Sequence, residues 1–262
     1  RSKQSNFLKY AVNPNICILE NIKFENHEIN DYMNAIGRDL FSNNFENTLK
    51  QFEESDNFGS LIKPKLDNID SIRNQLSEKN ISSNLFLHLT HKNVIKLIDQ
   101  SDFLSRKYHV VVANPPYLAG KNMNLQMINF LNKNYKEYKS DLFSAFIIRN
   151  IKFLKKDGYL GLMTPNVWMF LSSYEKLRLN LTNNFSIKNL VELPKSAFKG
   201  ATVQICAFNI ELSESKECDF IRLVDFKGGD KEMEEYTKKA IKQSNCKYLY
   251  KCFPKDFNKI KG

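Results

Sequence analysis

The sequence lacks several features that would assign it to well-defined classes of protein. Its five cysteines are scattered, and no two have the Cys-x-x-Cys spacing, which argues against a zinc ribbon, a disulfide framework and a thioredoxin-type redox site. No apolar run approaches the roughly 18 residues of a membrane span, and there is no signal peptide. We therefore expect a protein that works in the cytoplasm and has no membrane partner.

The charge balance is strongly basic. Lysine and arginine number 39 against 29 acidic residues, which gives a net charge of +10. Such a balance favours a polyanionic partner such as nucleic acid. A lysine- and asparagine-rich composition also arises from the base composition of a genome, so solvated lysines remain an equal alternative. The 262 residues, 42% of them hydrophobic, are enough for a sizeable core.

The first part of the chain has a helical pattern after one short apolar run. Asn15–Glu20 follows Pro14 and is typical of a buried strand. From about Phe24 to Lys107, apolar residues recur at intervals of three and four, in segments 31–41, 45–52, 69–76 and 84–98. Residues 1–107 are therefore predicted to form a strand and a helical insertion.

At Tyr108 the pattern changes to alternating strands and helices. His109–Ala113 is β-branched and apolar on both faces, which is typical of a strand inside a covered sheet. Ser140 is placed to cap a helix to about Lys156, and Ser172 and Glu175 form a capping-box pattern. Further strands are predicted at 159–164, 187–193, 202–212 and 219–226. This order predicts an α/β fold over 108–226 with a partial Rossmann-like sheet, mostly parallel and finished by an antiparallel pair. A linker over 227–262 follows, and a charged helix is predicted within it at 231–243.

The tetrapeptide Asn114-Pro115-Pro116-Tyr117 follows the strand at the edge where open α/β sheets bind ligands. The prolines stiffen the chain and lack N–H groups, so the stretch presents carbonyl acceptors. Such acceptors beside a ring fit an exocyclic amine on a planar base. The Asn114 side chain and the Pro115 carbonyl each accept one amine hydrogen, which turns the nitrogen lone pair toward an electrophilic methyl group. All four residues are predicted to be catalytic; the alternative is a plain Pro-Pro turn.

The tetrapeptide resembles motif IV of the γ-class N6-adenine DNA methyltransferases. Longer segments are similar to the adenine methyltransferases of BREX phage-exclusion systems: 51–63 (QFEESDNFGSLIK), 108–124 (YHVVVANPPYLAGKNMN), 140–146 (SDLFSAF), 158–177 (GYLGLMTPNVWMFLSSYEKL) and 220–229 (FIRLVDFKGG). The resemblance implies a class I methyltransferase sheet, S-adenosylmethionine as methyl donor and a flipped adenine in double-stranded DNA as acceptor. It also implies a role in phage defence or restriction–modification, with other defence-system proteins as further partners.

The resemblance also implies residues that bind the DNA. In the family, an aromatic residue in the loop before the antiparallel strands stacks on the flipped base, and Phe198 stands in that position. Together with Tyr117 it would sandwich the adenine and offset part of the unstacking cost of about a few kcal/mol. Lys121, Lys139 and Lys199 flank the expected pocket and are candidates to hold phosphates. A core phenylalanine and ordinary exposed lysines are the alternatives.

The resemblance breaks down at the cofactor site. The nine glycines never form a Gly-x-Gly, and the acidic strand end that grips the ribose in the family is missing. In the family both lie upstream of Arg1, and a target-recognition domain lies downstream of Gly262, so we interpret the chain as a fragment. Glu20, Asp56 and Phe58 are candidates for contact with the adenosine part, or else ordinary caps and turn formers. We expect the chain alone to bind S-adenosylmethionine weakly or not at all.

Other functions remain open on the sequence. Asn-Pro-Pro-Tyr can serve any planar amide or amine, so methylation of RNA or of a protein glutamine is one alternative. A non-catalytic DNA-binding remnant is another, and the full-length parent could also cleave DNA. His88 and His91 have a spacing that two metal ligands use on a helix, but no acidic or cysteine partner is placed near them, and no metal is expected.

Overall fold

The structure is a computed structural model that describes residues 14–37, 43–66, 68–79, 85–198, 203–213, 217–243 and 245–259. The chain divides into two compact units, Arg1–Ser105 and Arg106–Gly262. The division at residues 107 and 226 that the sequence suggests remains a prediction. Of the helices in the described ranges, none has both the length and the apolarity needed to cross a membrane.

The described parts of the first unit are mostly helical from Asn26 onward, as predicted. Its helices are α1 (Asn26–Ile36), α2 (Asn43–Gln51), α3 (Ser55–Phe58), α4 (Ile69–Ser77) and α5 (Leu85–Ser105). The helical spacing of Tyr32, Met33 and Ile36 places all three on the buried face of α1. Arg73 of α4 forms ion pairs with Asp99 and other carboxylates, and α1 and α4 both contact α5. The helix α5 therefore organises this unit.

Two details of the first unit differ from the prediction. The run Asn15–Glu20 is not a strand, and Ile16 and Ile18 are 72% and 75% exposed. A strand requires a hydrogen-bonded neighbour, and no described strand pairs with this run; the Glu20 N–H donates instead to the Gln100 side chain. In α5, Leu85 and Leu89 were expected on the apolar face and are exposed.

The described part of the second unit forms a six-stranded sheet of order β1-β2-β4-β3-β5-β6. The strands are β1 (Tyr108–Ala113), β2 (Leu154–Pro165), β3 (Ser186–Glu192), β4 (Ile205–Glu211), β5 (Cys218–Arg222) and β6 (Leu249–Cys252). The pairs β1–β2 and β3–β5 are parallel, and β4 is antiparallel to both β2 and β3. Strands β1, β2, β3 and β5 thus run in one direction, which confirms the predicted fold class.

The strand pairing differs from the prediction in two places. β4 and β5 run in opposite directions, as predicted, but β3 lies between them. β4 takes the central place because its buried side chains, Cys206, Phe208 and Ile210, belong to the main core. In contrast, β1 was expected inside the sheet and is an edge strand of the described residues, with Val110 and Val112 exposed.

The described part of the second unit also contains helices. They are α6 (Leu125–Asn134), α7 (Leu142–Ile151), α8 (Glu175–Asn184) and α9 (Asp230–Lys242). The main core joins α7 and α8 to one face of the strands, and Phe220 of β5 packs against it. Its neighbour Ile221 belongs to a second cluster with Met233 of α9, as expected because successive strand residues point to opposite faces. The segment predicted as a linker thus contains α9, where the charged helix was predicted, and also the edge strand β6.

Several helix ends also differ from the prediction. Asp141, not Ser140, caps α7, and its carboxylate accepts from the Phe143 N–H. The helix ends at Ile151, and Lys155 and Lys156 lie in β2. A 3-10 turn over residues 172–174 precedes α8, so the predicted capping box does not form. Helix α6 and strand β6 were not predicted, although Asn124 is a good N-cap and accepts from Met127 N–H.

A bulge in β2 separates its two halves. Tyr108 pairs with Leu154, but Val110 already pairs with Tyr159, so residues 155–158 have no partner on β1. Asp157 has a positive φ of 58° within this bulge. A Cβ on Gly158 would lie 2.9 Å from the carbonyl oxygen of Lys155, so only glycine fits there.

Candidate active site

The carboxyl ends of β1, β2 and β3 lie at one edge of the sheet, where β4 begins. Hydrogen bonds fasten these ends together: the Asn166 N–H donates to the Gln204 carbonyl (3.0 Å), and the Leu193 N–H donates to the Ile205 carbonyl (2.9 Å). The Asn166 side chain also donates to Glu192 Oε1 at 2.8 Å. Residues that follow these strands are therefore held on a common, well-bonded edge.

The Asn-Pro-Pro-Tyr segment leaves β1 at this edge in an open position. Asn114 and Pro116 are exposed, Pro115 is buried and Tyr117 is half-buried. Asn114 thus does not face the apolar interior. The carboxamide stands where an incoming molecule can reach it, as the proposed chemistry requires.

The Tyr117 hydroxyl holds the Asn114 side chain. It donates to Asn114 Oδ1 at 2.8 Å and lies 3.1 Å from the carbonyl oxygen of Met163 on β2. Burial, and then the nearby Cys206, raise the pKa of Tyr117, so the hydroxyl keeps its proton and remains a donor. The ring also packs edge-on against Phe143, with centroids 6.5 Å apart. A carbonyl oxygen has two lone pairs, so one remains on Oδ1 for an amine hydrogen.

For the methyl transfer that the sequence resemblance implies, we expect Tyr117→Phe to lower the rate about fivefold without abolishing it, because the ring stays while a hydrogen bond of about 1 kcal/mol to Asn114 is lost. Single-turnover methylation assays on DNA would measure the rate. An unchanged rate would show that the hydroxyl does not orient Asn114. A thermal melt would check that the variant folds.

The acceptor segment is also anchored from the far side by Asp141, a residue that the sequence pattern did not single out. Its carboxylate is buried and accepts from the N–H groups of Leu118 (2.9 Å) and Phe143 (3.2 Å). The Leu142 N–H donates to the Leu118 carbonyl at 3.0 Å, and Ala119 forms a β-bridge with Asp141. One carboxylate therefore caps α7 and fixes the chain directly after Tyr117.

The structure places most of the predicted DNA-binding residues at the surface. Phe198 is 39% exposed and follows a 3-10 turn after β3 that the buried Ala197 anchors. It is therefore not a core phenylalanine, and its stacking role remains a prediction. Lys121 and Lys139 are exposed, and Lys139 donates to the Asn132 side chain at 2.7 Å. Lys199 lies outside the described residues.

The three cofactor-binding candidates belong to the first unit, and two of them are close together there. The Ser55 hydroxyl donates to the Glu20 carbonyl at 2.6 Å, and the Asp56 N–H donates to the Asn21 side chain at 3.0 Å. The exposed Asp56 carboxylate and the half-buried Phe58 ring have the chemistry to contact an adenosine. The Glu20 carboxylate already has an ion pair with Lys96. A cofactor-binding role for these three residues remains a prediction.

One of the two histidines with metal-ligand spacing, His91, has a hydrogen-bond partner in the first unit. His91 Nδ1 lies 2.6 Å from the Tyr32 hydroxyl. Burial and the neighbouring His88 lower the pKa of His91, which keeps the ring neutral at physiological pH. In the part of the chain that the structure describes, no three His, Cys, Asp or Glu side chains are grouped as metal ligands.

Comparison with known proteins identifies the family. The model of the Eco57I restriction-modification methylase family matches residues 3–198, which include the Asn-Pro-Pro-Tyr segment and Phe198. The chain belongs to this family. It is 32% identical to the adenine-specific methyltransferase BrxX of Escherichia coli O9:H4 (strain HS) over 82% of its length, and 31% identical to the adenine-specific methyltransferase PglX of Lacticaseibacillus casei (strain Zhang) over 90%.

These family members are much longer than the chain. It spans 18% of BrxX and 20% of PglX. Among solved structures it is similar to a modification subunit of a putative type I restriction enzyme from Vibrio vulnificus YJ016, with 12% identity and a TM-score of 0.45 over 73% of this chain and 47% of that one. The resemblance to adenine-specific DNA methyltransferases that the motifs indicate is confirmed.

Proposed function

We propose that the chain is the methyl-acceptor part of a site-specific adenine DNA methyltransferase of a phage-defence or restriction–modification system. The observation that carries the proposal is the exposed Asn114 carboxamide, held by Tyr117 at the carboxyl edge of the sheet. Membership of the Eco57I methylase family supports it. The proposed substrate is adenine in double-stranded DNA, with other defence proteins as further partners, and the proposed location is the cytoplasm, where chromosomal DNA is available.

The roles proposed for the residues follow from their chemistry. Asn114 Oδ1 and the Pro115 carbonyl accept the two hydrogens of the adenine amine, and this directs the nitrogen lone pair away from the ring. Pro116 stiffens the segment, and the faces of Tyr117 and Phe198 stack on the base. No side chain forms a covalent bond with the base, so positioning supplies most of the rate enhancement.

The proposed methyl donor is S-adenosylmethionine, which supplies an electrophilic methyl group. Asp56 and Phe58 would contact its adenosine part, with Glu20 beside them after release from Lys96. Lys121 and Lys199 are proposed to hold DNA phosphates near the acceptor site, because lysine acts as a point charge toward phosphate. Since the sequence contains no Gly-x-Gly loop, we propose that these residues form only part of the donor site.

The test is direct identification of the product. The protein expressed from its full coding sequence is incubated with labelled S-adenosylmethionine and, in parallel, with duplex DNA, RNA or protein. We expect label in DNA alone, recovered as N6-methyladenine by mass spectrometry after nuclease digestion. Label in RNA or in glutamine, or no N6-methyladenine under conditions where the protein is folded, would overturn the proposal.

A further inference from the structure

Two large apolar side chains are exposed next to each other in the loop that follows β2. Phe170 is 63% exposed and Leu171 is 51% exposed. β2 ends at the carboxyl edge of the sheet, where the Tyr117 hydroxyl contacts Met163 near the end of that strand. Neither side chain has a role in the proposed chemistry. Adjacent apolar side chains at the rim of a site indicate a binding surface.

Hydrogen bonds hold the backbone of this loop in place. The N–H groups of Phe170 and Leu171 both donate to the Val167 carbonyl, at 3.2 and 3.0 Å. The Arg178 guanidinium of α8 donates to the carbonyls of Trp168 (2.9 Å) and Leu171 (2.6 Å). Trp168 is itself buried in the main core. The two apolar side chains therefore stand on a rigid support.

The loop is also joined to the acceptor segment. The Ser140 hydroxyl donates to the Ser173 carbonyl at 3.2 Å. The next residue, Asp141, forms the β-bridge with Ala119, just after Asn-Pro-Pro-Tyr. The acceptor segment, the turn before α7 and the loop at 170–173 thus form one hydrogen-bonded surface. Exposed lysines lie in these segments, namely Lys121, Lys139 and Lys176, together with the exposed carboxylates of Glu137 and Glu175.

We propose that Phe170, supported by Leu171, enters the base stack of duplex DNA as a wedge and fills the gap that the extruded adenine leaves. This inference rests on the proposed function. Apolar side chains that insert between base steps unstack and kink the duplex, and the flipping of a paired base must overcome both stacking and pairing. A rigid apolar side chain reduces that cost and excludes water from the gap, while the lysines hold the flanking phosphates.

The experiment compares two DNA duplexes and several variants of the protein expressed from its full coding sequence. In one duplex the target adenine is paired with thymine. In the other it lies opposite an abasic site, which lowers the cost of extrusion. We expect Phe170→Ala to slow methylation of the paired duplex about tenfold or more, and to methylate the abasic duplex at nearly the wild-type rate. Phe170→Leu keeps an apolar side chain and should restore most of the activity on paired DNA.

Phe253→Ala is the matched control. Phe253 is also an exposed phenylalanine (51%) and follows β6 at the opposite edge of the sheet, so its removal should change neither rate. A wild-type rate of Phe170→Ala on paired DNA would overturn the wedge. An equal loss on both duplexes would also overturn it, because it would indicate a structural role or a protein-docking surface. If the wild-type protein methylates neither duplex, the proposed function itself fails.

Discussion

Asn114→Ala is expected to lower methylation by a factor of at least about 10² to 10³, because it removes one of the two acceptors that direct the amine lone pair. Asn114 is exposed, so the loss of its side chain should leave the fold and DNA binding intact. The measurement is single-turnover methyl transfer to duplex DNA beside a binding titration. Asn114→Asp retains an acceptor oxygen and should keep activity well above that of the alanine variant.

A matched control for this experiment is Asn134→Ala, which removes an exposed asparagine at the end of α6. Its methylation rate should equal the wild-type rate. If Asn114→Ala methylates DNA as fast as Asn134→Ala does, the acceptor role of Asn114 is wrong, and the Asn-Pro-Pro-Tyr segment is only a turn.

Asp141→Ala is expected to lower both stability and activity. It leaves α7 without its cap, at a cost of about 0.5–2 kcal/mol. It also leaves the Leu118 N–H without its acceptor, which adds about 1–3 kcal/mol if the group stays buried. Because the Leu118 N–H is bonded to Asp141, the segment after Tyr117 loses its anchor, and the rate should fall more than the melting temperature alone explains. Thermal unfolding and methylation rates at a temperature well below the melting point separate the two effects.

Asp141→Asn is the informative companion variant. An asparagine oxygen can accept the same hydrogen bonds, so this variant should recover both the cap and the activity. Burial raises the pKa of Asp141 despite the backbone N–H groups that lower it. The stability linked to this shift is therefore present at acidic pH and is lost as the pH rises through the folded-state pKa. At neutral pH the asparagine variant should melt no lower than the wild type, and a lower melting temperature there would contradict this account.

The elements that the sequence predicted correctly are those that depend on local patterns of residues. The β-branched run His109–Ala113, followed directly by two prolines, predicts a strand that stops at a fixed residue, and Asn114 stands at that point in the structure. Helices with a strong three- and four-residue periodicity were also correct, as in α1. The predicted ends of the helices were less accurate. At α7, for example, Ser140 and Asp141 are both suitable caps, and the choice depends on which side chain faces the first turn.

The sequence could not predict the features that depend on contacts between distant residues. β4 has the same apolar alternation as an outer strand would have, and only packing against the main core decides that it lies between β2 and β3. The second role of Asp141 requires the residues around 118 and 141 to meet. Phe170 resembles any core phenylalanine until its exposure is known. Local sequence therefore predicted the position of the Asn-Pro-Pro-Tyr segment, and tertiary contacts determine which residues support it.

The bulge at residues 155–158 has a consequence for how relatives of this chain can vary. Residues 155–158 have no partner on β1, whereas Asp157 and Gly158 bond to Leu212. A change in the number of residues before Asp157 therefore alters the connection from α7 without sliding Tyr159–Pro165 along its neighbours. The Met163 carbonyl would keep its place beside Tyr117. Length variation among homologues should therefore collect at this position, and the alignment of the residues that follow it should stay free of gaps.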